Sequence, residues 1–139
     1  MTQMIFINLP VRDLAASRHF YTALGFSINE AFSDDTAACV VISEAIFVMI
    51  LTHPKFADFT PLPIGDARVH SQHLLAISRD SRADVDVIVT AALGAGGSEP
   101  RPVQDLGFMY SRAFADPDGH IWEPMWMDPA AAASGPPDM

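Results

Sequence analysis

Apolar and polar positions alternate between two periods along the chain, and the order of those periods repeats. Ile5, Phe6, Ile7 and Leu9 surround a lone Asn8, so Met4 to Pro10 is predicted to be a short buried strand. Asp13 then stands where a helix N-cap belongs. Leu14, Ser17, Phe20/Tyr21 and Leu24 recur at helical spacing, and Gly25 sits where a helix ends. Three strand-like runs follow, Phe26–Phe32, Ala37–Ile42 and Ile46–Thr52, with turns at Asp34-Asp35 and Ser43-Glu44. The first unit therefore reads β-α-β-β-β.

From His53 to His70 the periodicity lapses. Pro54, Pro61 and Pro63 mark a connecting segment, of a length that in small domains is often functional. The pattern then restarts. His73–Ser78 is a strand, and Ser81 followed by Asp84 resembles a capping box. Val85, Ile88/Val89 and Ala92 form one helical face, which Gly94, Gly96 and Gly97 end. Ser98–Val103 is a weak edge strand, given Pro100 and Pro102. Phe108–Phe114 alternates, Asp116-Pro117-Asp118-Gly119 is a strong turn, and His120–Met127 is the last strand. Arg12-Asp13 and Thr22-Ala23-Leu24-Gly25 in the first half match Arg79-Asp80 and Ala91-Ala92-Leu93-Gly94 in the second, which points to a duplicated module. The expected organisation is one domain over 1–128. Module one covers about 4–53, the connecting segment 54–72 and module two about 73–128, and a disordered tail takes in 129–139.

Composition narrows the function. The chain has 139 residues, half of them apolar, which suits a single globular domain with a real core. Seventeen acidic against eight basic residues give a net charge of −9, and no basic cluster is present. A nucleic-acid backbone would be repelled, whereas a cationic ligand would be mildly favoured. No apolar run is long enough to cross a bilayer, and the first residues lack the pattern of a secretory signal. One cysteine, Cys39, allows no internal disulfide and reads as a buried, inert thiol, which fits a reducing cytoplasmic location. No Ser-His-Asp motif, phosphate loop, dinucleotide fingerprint or H-E-x-x-H occurs.

Two stretches carry a family resemblance, D-L-x-x-S-x-x-F-Y-x-x-L-G-F from Asp13 to Phe26 and D-P-D-G-x-x-x-E from Asp116 to Glu123. With the repeated unit, they make residues 4–128 resemble the vicinal oxygen chelate superfamily: glyoxalase I, bleomycin-resistance proteins and extradiol dioxygenases. The chain looks closest to the group called predicted lactoylglutathione lyases. The resemblance implies an α+β fold in which two βαβββ modules form a cupped mixed sheet with helices outside. It also implies a small-molecule ligand in the cup and a homodimer. Catalytic relatives hold a divalent metal with inward side chains, one on the first and one on the last strand of each module.

Carried over by residue, Glu123 falls on the last-strand carboxylate and His73 on the first strand of module two, with Leu74 as the alternative one residue on. Phe6 replaces the other histidine, and the fourth position falls near Val48 or Ile50. At most two metal ligands, His73 and Glu123, remain, fewer than the three that catalytic sites usually keep. The cofactor therefore stays undetermined. Two functions are open: a glyoxalase-like lyase, isomerase or dioxygenase with Glu123 as catalytic base or ligand, and a non-catalytic protein sequestering a cationic aromatic, antibiotic-like compound. Among ligand-binding candidates, Asn8 lies on the Phe6 side of its strand. Phe108, Tyr110 and Arg112 alternate on one face, from which Arg112 could bind an anionic group or pair with Glu123. Met49, Met109, Met125 and Met127 suit either an adaptable lining or core filling. His120, after the turn glycine, reads as a residue bonding backbone.

Overall fold

The capping residues expected from the sequence start the two long helices. In the computed structural model, which describes residues 2–137, Asp13 accepts a hydrogen bond from the Ala16 N–H and opens α1 (Leu14–Ala23). Ser81 does the same through the Asp84 N–H for α3 (Arg82–Gly94). Each helix buries the face its spacing marks out: Ser17, Phe20 and Tyr21 on α1, and Val85, Ile88, Val89 and Ala92 on α3.

Each helix belongs to one sheet. In module one, β1 (Ile5–Val11), β2 (Ser27–Asn29), β3 (Ala37–Val41) and β4 (Ile46–Thr52) lie in the order β1-β4-β3-β2, with β1 parallel to β4. In module two, β5 (Leu75–Ser78), β6 (Gln104–Asp105), β7 (Met109–Ser111), β8 (Phe114–Ala115) and β9 (Ile121–Met127) lie in the order β5-β9-β7-β6, with β8 also on β9 and β5 parallel to β9. The two sheets thus share one plan, and β1 and β5 are both edge strands. This is the α+β architecture of two βαβββ modules.

The core lies on the helix side of both sheets and runs through both modules. Leu9, Val11, Val48 and Ile50 of module one share it with Ile88, Val89, Phe114 and Trp122 of module two. Polar side chains join the modules inside this core. Tyr21 is fully buried; its hydroxyl donates to Asp116 at 2.6 Å and accepts from Trp122 Nε1 at 3.1 Å. Asp118 accepts from the Arg12 backbone N–H at 2.9 Å and from its guanidinium at 3.2 Å. The Asp116–Gly119 turn thus staples module two to module one.

Several local expectations are corrected. The second strand is only Ser27–Asn29, because the Asn29 side chain caps the Ala31 N–H and turns Glu30–Phe32 into a short 3-10 turn. The connecting segment opens with α2 (His53–Ala57), capped by Thr52. Ser98–Val103 forms no strand beyond a single bridge from Ser98 to Ala115. The Phe108–Phe114 run is split into β7 and β8 at Arg112 and Ala113. In the tail, expected to be disordered from 129 to 139, Asp128 caps α4 (Pro129–Ser134); residues 138 and 139 lie outside the described residues. Among the described residues, no helix is long and apolar enough to cross a membrane.

Candidate functional site

Strand alternation assigns every candidate to one of two faces. On β1, Ile7, Leu9 and Val11 turn to the helices, leaving Phe6 and Asn8 on the opposite face. On β4, Val48 and Ile50 are fully buried on the helix side, so the open face carries Phe47 and Met49. The rings of Phe6 and Phe47 stack at 4.8 Å and 11° there, although Phe6 remains half exposed. Asn8 lies beside Met49 and donates to the Phe6 carbonyl at 3.3 Å. Cys39 is buried on this face, and desolvation pushes its thiol pKa up, which keeps it protonated.

On β9, Trp122 faces the helices and Glu123 the open face. Its neighbour on β5 is Ala76. Glu123 is paired, and its partner is Arg101: Nε and Nη2 donate to Oε2 at 3.3 and 3.0 Å. Arg101 Nη2 also donates to Ser111 Oγ at 2.9 Å. Among the described residues, Oε1 of Glu123 has no hydrogen-bond partner, so one carboxylate oxygen is free to accept from a ligand. Sequence reasoning missed Arg101. Its position between Pro100 and Pro102 hid it inside an expected edge strand, and only the tertiary fold brings it to β9.

The expected partnership of Arg112 with Glu123 does not form. Arg112 donates instead to Glu99 at 3.0 Å through both Nε and Nη2, and to Asp86 of α3 at 2.9 Å through Nη1. Tyr110 also donates to Asp86, at 2.7 Å, and pairs across the strands with Trp126. Tyr110 and Arg112 therefore share one face, as their spacing indicated, but it is the face turned to α3. Those bonds lower the pKa of Asp86, the Tyr110 hydrogen bond contributing most. Phe108 lies just before β7, and its carbonyl accepts from the Asp128 N–H at 2.7 Å. Neither Tyr110, Arg112 nor Phe108 is brought to Glu123.

The two N-caps, Asp13 and Ser81, align Phe6 with Leu74 rather than with His73, and the strand registers align Met49 with Glu123. The four positions that correspond to the family's ligand positions are thus Phe6, Met49, Leu74 and Glu123, among which only Glu123 carries oxygen donors. Among the described residues, no group of three or more His, Cys, Asp or Glu side chains could hold a metal ion. These donors do not fit the divalent metal that the resemblance implied.

His73 precedes β5, and its ring stacks on His120 with centroids 5.7 Å apart. His120 is buried and holds the Pro10 carbonyl through Nε2 at 2.8 Å, bridging the end of β1 to the start of β9. Desolvation, and then the charge of His120, lower the pKa of His73. A depressed folded-state value means that protonation costs stability. The stability present above about pH 6.5 is therefore lost as pH falls through the folded value. Asp116, whose pKa burial raises, acts in the opposite direction at lower pH. The difference between wild type and His73→Gln isolates the histidine: urea midpoints measured from pH 8 to 5 should fall more for wild type than for the variant. Parallel curves would show that His73 does not feel the burial.

Comparisons with known proteins agree with the fold. The model for the bleomycin resistance protein-like N-terminal family matches residues 3–43, most of module one. No curated protein sequence matches the chain. Among solved structures, a hypothetical protein of S. aureus is 25% identical, with a TM-score of 0.76 over 91% of this chain and 94% of that one. A glyoxalase-related enzyme from Fulvimarina pelagi is 23% identical, with a TM-score of 0.76 over 91% and 88%. A bleomycin resistance determinant encoded on the transposon Tn5 is 21% identical, with a TM-score of 0.62 over 91% and 99%.

Proposed function

Because the chain has the vicinal oxygen chelate fold of the glyoxalase, bleomycin-resistance and dioxygenase proteins, we propose that it binds a small cationic aromatic molecule on the open sheet faces without a metal ion. The observation that carries this reading is the set of side chains at the four inward positions: Phe6, Met49 and Leu74 are apolar, and the only carboxylate, Glu123, is already held by Arg101. Such a surface cannot chelate an ion strongly, but it suits a planar ring. The stacked, half-exposed Phe6 offers an aromatic face, methionines adapt around it, and the free oxygen of Glu123 accepts from a ligand N–H. A net charge of −9 draws cations towards the protein. The protein then sequesters its ligand, and the lyase, isomerase and dioxygenase chemistry of catalytic relatives is not part of its function.

The open faces are completed by a second copy in this reading. Met4 just before edge strand β1 and Ile5 on it are each exposed by half or slightly more, an apolar border beside Phe6 that a homodimer would cover. Light scattering at micromolar concentration should give twice the chain mass. A monomer there would place the whole site within one chain.

Charge supplies a second test. Affinity for 9-aminoacridine, a cation, should exceed that for neutral acridine and should fall as salt rises from 50 to 500 mM. Glu123→Gln should weaken the cation about tenfold, a loss of about 1.4 kcal/mol, and leave acridine within about twofold. Equal losses for both compounds would remove Glu123 from ligand recognition.

A further inference from the structure

A groove of about 380 Å³ lies between the connecting segment and the ends of β1 and β9, and its lining includes none of the residues assigned to the open faces. Its walls are mainly apolar, with Pro10, Phe56, Leu62 and Ile64 among them, and among the described residues no Asp, Glu, Lys or Arg side chain lines it. Its volume falls in the range of small-molecule sites. The groove shares Ala67, His70, Gln72, His73 and His120 with an adjoining void of about 10 Å³, space for one water or one hydroxyl.

His120 is 4% exposed, and its hydrogen bonding fixes its tautomer. A carbonyl oxygen only accepts, so the bond to Pro10 requires the proton on Nε2 and leaves Nδ1 of the neutral ring an acceptor. Nδ1 is buried and has no partner among the described residues. A buried acceptor without a donor is costly, and in this core, where Tyr21, Asp116, Asp118 and Trp122 are all satisfied, it is out of keeping.

From this geometry we propose that the groove is a second ligand site, for a neutral aromatic alcohol of the phenol or naphthol class. The ring system lies against Phe56, Leu62 and Ile64, and the hydroxyl enters the void and donates to His120 Nδ1. The absence of charged walls selects against the cation that the open faces favour. The hydrogen bond selects for a hydroxyl over its methyl ether, which has no proton to give and is too large for the void.

The probe is 2-naphthol, compared with 2-methoxynaphthalene in fluorescence titrations of the full chain. Naphthol should bind saturably and at least tenfold more tightly than the ether. Ile64→Trp, which fills the groove from a half-buried position without touching the core, should abolish naphthol binding and leave 9-aminoacridine binding intact. Phe6→Ala should leave naphthol binding unchanged. Equal affinity for the ether, no saturable naphthol binding, or naphthol binding lost with Phe6→Ala but kept in Ile64→Trp would each overturn the proposal. The last of these would still leave the open faces as a ligand site, so the two readings fail separately.

Discussion

Replacing Asp116 with alanine should cost on the order of 3–5 kcal/mol, read as a fall in urea midpoint at unchanged slope. The carboxylate is buried and serves three donors: the Tyr21 hydroxyl at 2.6 Å, the His120 N–H at 2.9 Å and the Asp118 N–H at 3.0 Å. Alanine leaves all three without an acceptor, at about 1–3 kcal/mol for each one that water cannot reach. A domain of this size has only about 5–15 kcal/mol of total stability, so the variant should sit near its threshold at 37 °C. Tyr21→Phe should cost less, about 1–3 kcal/mol, because the two backbone bonds to Asp116 remain and the loss is confined to the Tyr21–Asp116 bond and the acceptor of the Trp122 Nε1–H. A loss below about 1 kcal/mol for Asp116→Ala would show that the Asp116–Gly119 turn does not hold the two modules together.

Gly119→Ala should cost about 2–4 kcal/mol by two effects acting at one atom. The residue has φ +94°, a conformation that side-chain-bearing residues rarely adopt. An added Cβ would also lie 2.6 Å from the Arg68 nitrogen and 2.7 Å from the Ala67 carbonyl carbon, and both are backbone atoms with nowhere to rotate. Either the turn or the connecting segment must move. Gly96→Ala separates the two effects: it has φ +100° but no neighbour within 4 Å, so only conformational strain of about 1 kcal/mol remains. Limited proteolysis should therefore cut within residues 54–72 faster in Gly119→Ala and at the wild-type rate in Gly96→Ala. Equal stability losses would mean that the connecting segment is not packed on the turn.

The sequence revealed most of the module plan, because its signals are local. Asp13 and Ser81 cap the helices expected of them, and Phe20, Tyr21, Ile88 and Val89 bury the faces their spacing indicated. Alternation correctly grouped Tyr110 with Arg112, yet it says only that residues share a face, never which face looks where. The fold turned that face to α3, where Asp86 and Glu99 were waiting. The choice between His73 and Leu74 turned on one residue of offset: matching Asp13 to Asp80 pairs Phe6 with His73, whereas the two residues that cap the helices, Asp13 and Ser81, pair it with Leu74. The Arg101–Glu123 pair was invisible because its partners are joined only in space. The α4 helix was legible in retrospect: Asp128-Pro129 is a helix start, and an alanine run follows.

The central claim is that the open faces bind a cationic aromatic without metal, and one titration tests it most directly. The protein is stripped with chelator and titrated with 9-aminoacridine by fluorescence anisotropy, before and after addition of zinc, nickel, iron(II) or manganese. The account predicts saturable binding in the presence of chelator, unchanged by any of the four metals and at least tenfold weaker in Phe6→Ala. Binding that appears only when a metal is added, or that is indifferent to Phe6, would contradict it.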